Sequence, residues 1–171
     1  PLDGSARLAA EFSSIPIINA GSGSEEHPTQ ALLDLYSIKK MKGSIDGMVV
    51  SLCGDLKYGR TVHSLAMALS YYDVQIKLAA PPQLRMKPAI VEEMLKAGIK
   101  VTEVESVEEG VKDVDVVYMT RIQKERFPDV REYDAVKGKF RIRPQEVALM
   151  REDAIILHPL PRVDELDPAV D

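Results

Sequence analysis

The sequence holds a single cysteine, no tryptophan and only 5% aromatic residues among its 171 positions. A lone Cys53 excludes a disulfide framework and any cysteine-based zinc site. Few aromatics, together with 22 Lys+Arg against 27 Asp+Glu and a formal charge of −5, exclude the basic, stacking surface of a nucleic-acid binder. No apolar run approaches the roughly 20 residues of a membrane-spanning helix. The opening PLDGSARLAAEF also lacks the charged-then-apolar layout of a signal peptide. These absences predict a soluble, cytoplasmic chain. What is present, 45% hydrophobic residues over one domain's length, suffices for a sizeable core without disulfides or metals.

Short β-rich runs alternate with longer amphipathic ones. Strands are expected at 48–53, 74–79, 100–105, 114–119 and 154–157. Helices are expected at 28–42, 61–72, 88–96 and 107–111, with a looser stretch at 123–136 and a short one at 145–150. Pro28 and Pro88 sit where a first helical turn tolerates proline, and Gly98 follows the third helix as a stop. This alternation predicts an α/β fold: a three-layer, doubly wound (Rossmann-like) parallel sheet in the order 3-2-1-4-5. The first forty residues fit less well. They read as a helix over 5–12, one more strand over 15–19 and a flexible connector, Gly21-Ser22-Gly23-Ser24, before Pro28, like the tail of an upstream unit.

In open α/β sheets ligands bind beyond the carboxyl ends of the strands. Arg60 follows the first strand, Arg121 the fourth and Arg162 the fifth, so an acidic chain gathers cations at one rim. The planar guanidinium fork suits carboxylates and phosphates, and this rim predicts a multiply anionic small molecule as ligand. The alternative is that each arginine merely pairs a neighbouring acid or caps a helix. Gly54-x4-Gly59-Arg60-Thr61 lies one residue from a nucleotide-binding P-loop, but arginine replaces its lysine and Asp55 and Tyr58 crowd the loop. An anion site at the helix start remains; an NTPase is discounted. No dinucleotide fingerprint follows the strand.

Among the histidines, His63 reads as a packed or solvent-facing helix residue, and His158 as a brace for a proline-rich turn. His27 opens a helix with Gln30 one turn on, so both can address one ligand. No metal-ligand spacing occurs, no Ser or Cys is set beside a base, and Cys53 reads as a small core residue. The chemistry implied is positioning and charge stabilisation without a covalent intermediate.

These segments, HPTQALLDL at 27–35, GDLKYGRTVHSL at 54–65, MTRIQKERF at 119–127 and HPLPRVDE at 158–165, resemble the aspartate carbamoyltransferase family. The resemblance implies transfer of a carbamoyl group from carbamoyl phosphate to L-aspartate in pyrimidine biosynthesis. It divides the chain into 1–38, the end of a carbamoyl-phosphate domain with its linking helix, and 39–171, an aspartate-binding domain without its C-terminal helices. It implies that His27 and Gln30 contact the carbamoyl group, that Arg60 and Thr61 bind aspartate, and that Arg121 and Gln123 hold its other end with Glu125 orienting Arg121. The carbonyls of Pro159 and Leu160 would meet the substrate amines, the Leu160–Pro161 bond would be cis, and Arg162 would stand near the site. No metal or organic cofactor is implied. Partners would be a homotrimer of full-length chains, with regulatory chains or a dihydroorotase as candidates.

Two departures matter. Ser22 replaces the family's common aspartate, and nothing matches the family's phosphate-binding Ser-Thr-Arg-Thr loop. The 171 residues alone are therefore expected to be inactive. The nearest rival, ornithine carbamoyltransferase, carries a cysteine-containing HCLP segment where this chain has HPLPR. A non-catalytic carbamoyltransferase-like binding module is the rival from another class.

Overall fold

A computed structural model describes residues 2–124, 127 and 129–171. Five apolar runs form strands: β1 (Val49–Cys53), β2 (Gln75–Ala79), β3 (Lys100–Val104), β4 (Val116–Met119) and β5 (Ile155–Leu157). They pair in parallel in the predicted order β3-β2-β1-β4-β5. Central β1 is paired on both sides, Val50 lying opposite Ile76 and Val116. Its last four residues are buried, as a strand covered on both faces requires.

The period of two sends alternate side chains to two cores. Val116 and Tyr118 of β4 face a core built with Ile38, Leu65, Leu69 and Met94. Those residues come from α2 (Pro28–Lys42), α3 (Arg60–Leu69) and α4 (Pro88–Lys96). Val117 and Met119 face the opposite core, with Val107 and Val111 of α5 (Val107–Val111), Phe140 and Ile142. The remaining α-helices among the described residues are α1 (Ser5–Phe12), α6 (Val130–Val136) and α7 (Pro144–Val147).

Several boundaries differ from the sequence expectation. Residues 15–19 are not a strand: they run without a ladder partner among the described residues, Pro16 has no N–H to give, and Ile15 and Ile18 face solvent. Within the stretch 123–136, α6 starts at Val130, where the Asp129 side chain accepts from the Arg131 N–H. Part of that stretch, residues 125, 126 and 128, lies outside the described residues. Helix α3 stops at Leu69, short of residue 72, and the helix expected at 145–150 is the four-residue α7. Nor is the Gly/Ser connector loose. Ser22 is fully buried, its hydroxyl 3.3 Å from that of Ser5, while the Ser24 N–H donates to Asp3 at 2.6 Å.

One glycine ties the ends of the two central strands. Gly54 has φ 109°, and a Cβ there would lie 2.2 Å from the Thr120 carbonyl oxygen. Thr120 fastens the junction: its Oγ1 donates to the Cys53 carbonyl and accepts from the Asp55 N–H, each at 3.1 Å.

Candidate active site

A cleft of about 180 Å³ opens at the carboxyl ends of β1, β4 and β5. His27 and Gln30 enter it from the start of α2, and Arg60 and Thr61 from the start of α3. Arg121 and Gln123 follow β4; Pro159, Leu160 and Pro161 follow β5. Segments far apart in sequence thus meet because strand order puts their loops side by side. A larger, more apolar hollow of about 660 Å³ lies against α2, α3 and α4 and shares none of these side chains.

His27 is the N-cap of α2, and its Nδ1 accepts the Gln30 N–H at 3.3 Å. An imidazole whose Nδ1 accepts carries its proton on Nε2, and burial followed by the Arg60 charge lowers its pKa from the ordinary 6.5. His27 is therefore a neutral N–H donor. Its own backbone N–H is fixed to Ser64 Oγ at 2.7 Å. Gln30 donates through Nε2 to buried Asp34 at 2.9 Å, which leaves its Oε1 as an acceptor. Asp34 was missed in the sequence, although it stands four residues from Gln30 on the same helix; burial raises its pKa, with the Gln30 and Tyr118 contacts opposing.

The guanidinium of Arg60 donates to the Gly23 carbonyl at 3.1 Å and lies over Gly21, where a Cβ would come within 2.8 Å of Nη1. The connector before α2 thus seats a cation from α3. Asp55 explains why the P-loop spacing misleads: its Oδ1 accepts the Lys57 and Tyr58 N–H groups at 3.2 and 2.9 Å. A carboxylate already occupies backbone donors that a phosphate would need.

Arg121 and Gln123 are half-buried in the cleft wall. Glu125, expected to orient Arg121, lies outside the described residues. The Leu160–Pro161 peptide is cis. Arg162 is not brought to the cleft. It pairs with Asp171 beside an adjoining hollow that shares His158 and Leu160 with the cleft, so among the described residues the arginines lining the site are Arg60 and Arg121. Of the other histidines, His63 is buried with Nε2 2.9 Å from the Leu56 carbonyl. His158 reaches the cleft wall. Cys53 is fully buried, and burial pushes its thiol up to about 11. Among the described residues no group of three or more His, Cys, Asp or Glu side chains is placed to hold a metal ion.

A family model for the aspartate/ornithine carbamoyltransferase Asp/Orn-binding domain matches residues 46–171, and one for the carbamoyl-P-binding domain matches residues 3–40. The chain belongs to the aspartate/ornithine carbamoyltransferase family. Within that family it is 54% identical to the aspartate carbamoyltransferase catalytic subunit of Thermococcus kodakarensis, over all of this chain and 55% of the relative. It superposes on the catalytic subunit of M. jannaschii aspartate transcarbamoylase with a TM-score of 0.88 at 52% identity, covering 100% of this chain and 56% of the other. The Trypanosoma cruzi enzyme in complex with carbamoyl phosphate and aspartate matches with a TM-score of 0.89 at 36% identity, over 99% and 55% of the two chains. The chain thus spans about half the length of the carbamoyltransferases it matches.

Proposed function

We propose that this chain is the aspartate-binding half of an aspartate carbamoyltransferase, with residues 1–38 ending the carbamoyl-phosphate domain and 39–171 forming the aspartate domain. The observation that carries the reading is one cleft lined by Arg60, Arg121 and a neutral His27 together with the Pro159–Pro161 turn. Arg60 and Arg121 supply fixed cations for the carboxylates of aspartate. Thr61 and Gln123 add polar contacts on the same walls. The Nε2–H of His27 donates to the carbamoyl oxygen and gains strength as that oxygen becomes an oxyanion, while Gln30 Oε1 accepts from the carbamoyl amide. The Pro159 and Leu160 carbonyls accept from the amines.

The reaction is attack of the aspartate amine on the carbamoyl carbon, collapse of the tetrahedral intermediate, and departure of phosphate, which takes the amine proton. It requires no group from the protein to form a bond with substrate. The family resemblance extends the proposal to pyrimidine biosynthesis in the cytoplasm by a homotrimer of full-length chains. Among the described residues no helix is long and apolar enough to cross a membrane.

Calorimetry with N-(phosphonacetyl)-L-aspartate, comparing wild type with Arg121→Ala, tests the reading. Binding is expected in the wild type and lost in the variant; tight ATP binding instead would overturn it. In a full-length chain, removing one arginine contact to a desolvated carboxylate is expected to cost about 2–5 kcal/mol of transition-state binding.

A further inference from the structure

The wall of the cleft after β5 is formed by His158, Pro159, Leu160 and Pro161, and on the carbamoyltransferase reading its working groups are the Pro159 and Leu160 carbonyls, which cannot be aimed by their own side chains. Leu160 holds φ 54°, a conformation uncommon for a residue with a Cβ. Something must hold it there. The His158 Nδ1 accepts the Leu160 N–H at 2.8 Å. Its Nε2 lies 2.7 Å from Glu165 Oε1, a close electrostatic contact set off the line of the ring N–H, and both side chains are almost fully buried. Glu165 reaches on to the far side of the loop, accepting the Val163 N–H at 3.1 Å and the Asp164 N–H at 3.2 Å.

We propose that His158 and Glu165 are a buried positioning pair that cross-braces residues 158–165 and so sets the direction of the Pro159 and Leu160 carbonyls in the cleft. Neither side chain is asked to touch substrate. With Nδ1 accepting, the ring proton belongs on Nε2, facing the carboxylate. Two backbone N–H groups donate to Glu165, and the His158 ring lies against it. Burial pushes its pKa up, but the His158 contact and the backbone N–H groups outweigh that and hold it below the ordinary carboxylate range. The loop is thus fastened at the residue before its first carbonyl, at the amide between the two prolines, and again after the second proline. As a device for this reaction, the pair rests on the carbamoyltransferase reading.

The test uses the full-length chain and two measurements. Hydrogen exchange of the peptide spanning 158–165 reports the brace directly, because the prolines leave few amides and Leu160, Val163 and Asp164 are the ones bound. Steady-state carbamoyl-aspartate formation reports the consequence. His158→Ala and Glu165→Gln are expected to speed exchange and to lower kcat by roughly 10–100-fold, the size of effect that an ångström of misplacement produces. His158→Asn, whose Oδ1 can replace Nδ1 as acceptor, is expected to recover most of both losses at an unchanged melting temperature. Wild-type exchange and kcat in His158→Ala overturn the proposal, and so does an Asn variant as impaired as the Ala variant. Failure of the wild type to form carbamoyl aspartate would count against the function reading, and the exchange comparison would still decide the brace.

Discussion

His27 uses its two ring nitrogens for different purposes: Nδ1 caps α2 and Nε2 is left to donate into the cleft. His27→Ala in the full-length enzyme is therefore expected to lower kcat by roughly 10²–10³-fold, the loss typical of one oxyanion donor. The sign of its pH dependence follows from its lowered pKa. The neutral donor survives below the ordinary 6.5, so the acid limb of the kcat profile assigned to His27 is expected under pH 6.5, and a limb above it would contradict this role. Arg60 and Arg162 looked equivalent in the sequence, each just beyond a strand. Partners separate them: Arg60 is seated over Gly21 and Gly23, whereas Asp171 draws Arg162 to the neighbouring hollow. A polar pair between residues nine apart in a loop leaves no pattern in the sequence.

Two elements position the site, and each has its own test. At the end of β1 the chain turns at Gly54 against the Thr120 carbonyl. Gly54→Ala combines a positive φ with a backbone clash, and the expected loss is at least ~1–3 kcal/mol of stability, read by urea denaturation. Helix α3 carries buried His63, whose pKa is lowered chiefly by burial, against a hydrogen bond to the Leu56 carbonyl that raises it. A depressed histidine stabilises the fold fully above its unfolded value near 6.5, and that contribution is lost as pH falls towards the lower folded value. Stability should therefore decline as pH drops below 6.5, before the carboxylates titrate, and His63→Gln should flatten part of that slope; an unchanged slope would remove His63 as its source. Strand positions were legible because apolar runs in a sheet covered on both faces are continuous. The 15–19 run was misread because apolar residues around Pro16 imitate a strand without a partner to pair with.

On the scale of the whole molecule, the sheet order decides which loops meet. β1 between β2 and β4, with β5 outside β4, brings the loops after β1, β4 and β5 together and leaves the α2 start above them. Apolar side chains of α1 and the segment after it, Leu8, Phe12 and Ile18, stand exposed, and matched catalytic subunits are nearly twice as long. The 171 residues alone are expected to give no carbamoyl-aspartate formation, and detectable turnover by the purified chain would overturn that expectation.

The sequence by itself determined the fold class, the strand order and most of the residues that line the cleft, because hydrophobic period and strand-end position are local properties of the chain. Only the tertiary structure decided which of those residues share one cleft. It turned Arg162 away, placed Asp34 behind Gln30, filled the P-loop-like turn with Asp55, and tied His158 to Glu165. The physical reason is common to all four: a polar side chain takes whichever partner the folded backbone brings within about 3 Å, and that choice is made in space, not along the sequence.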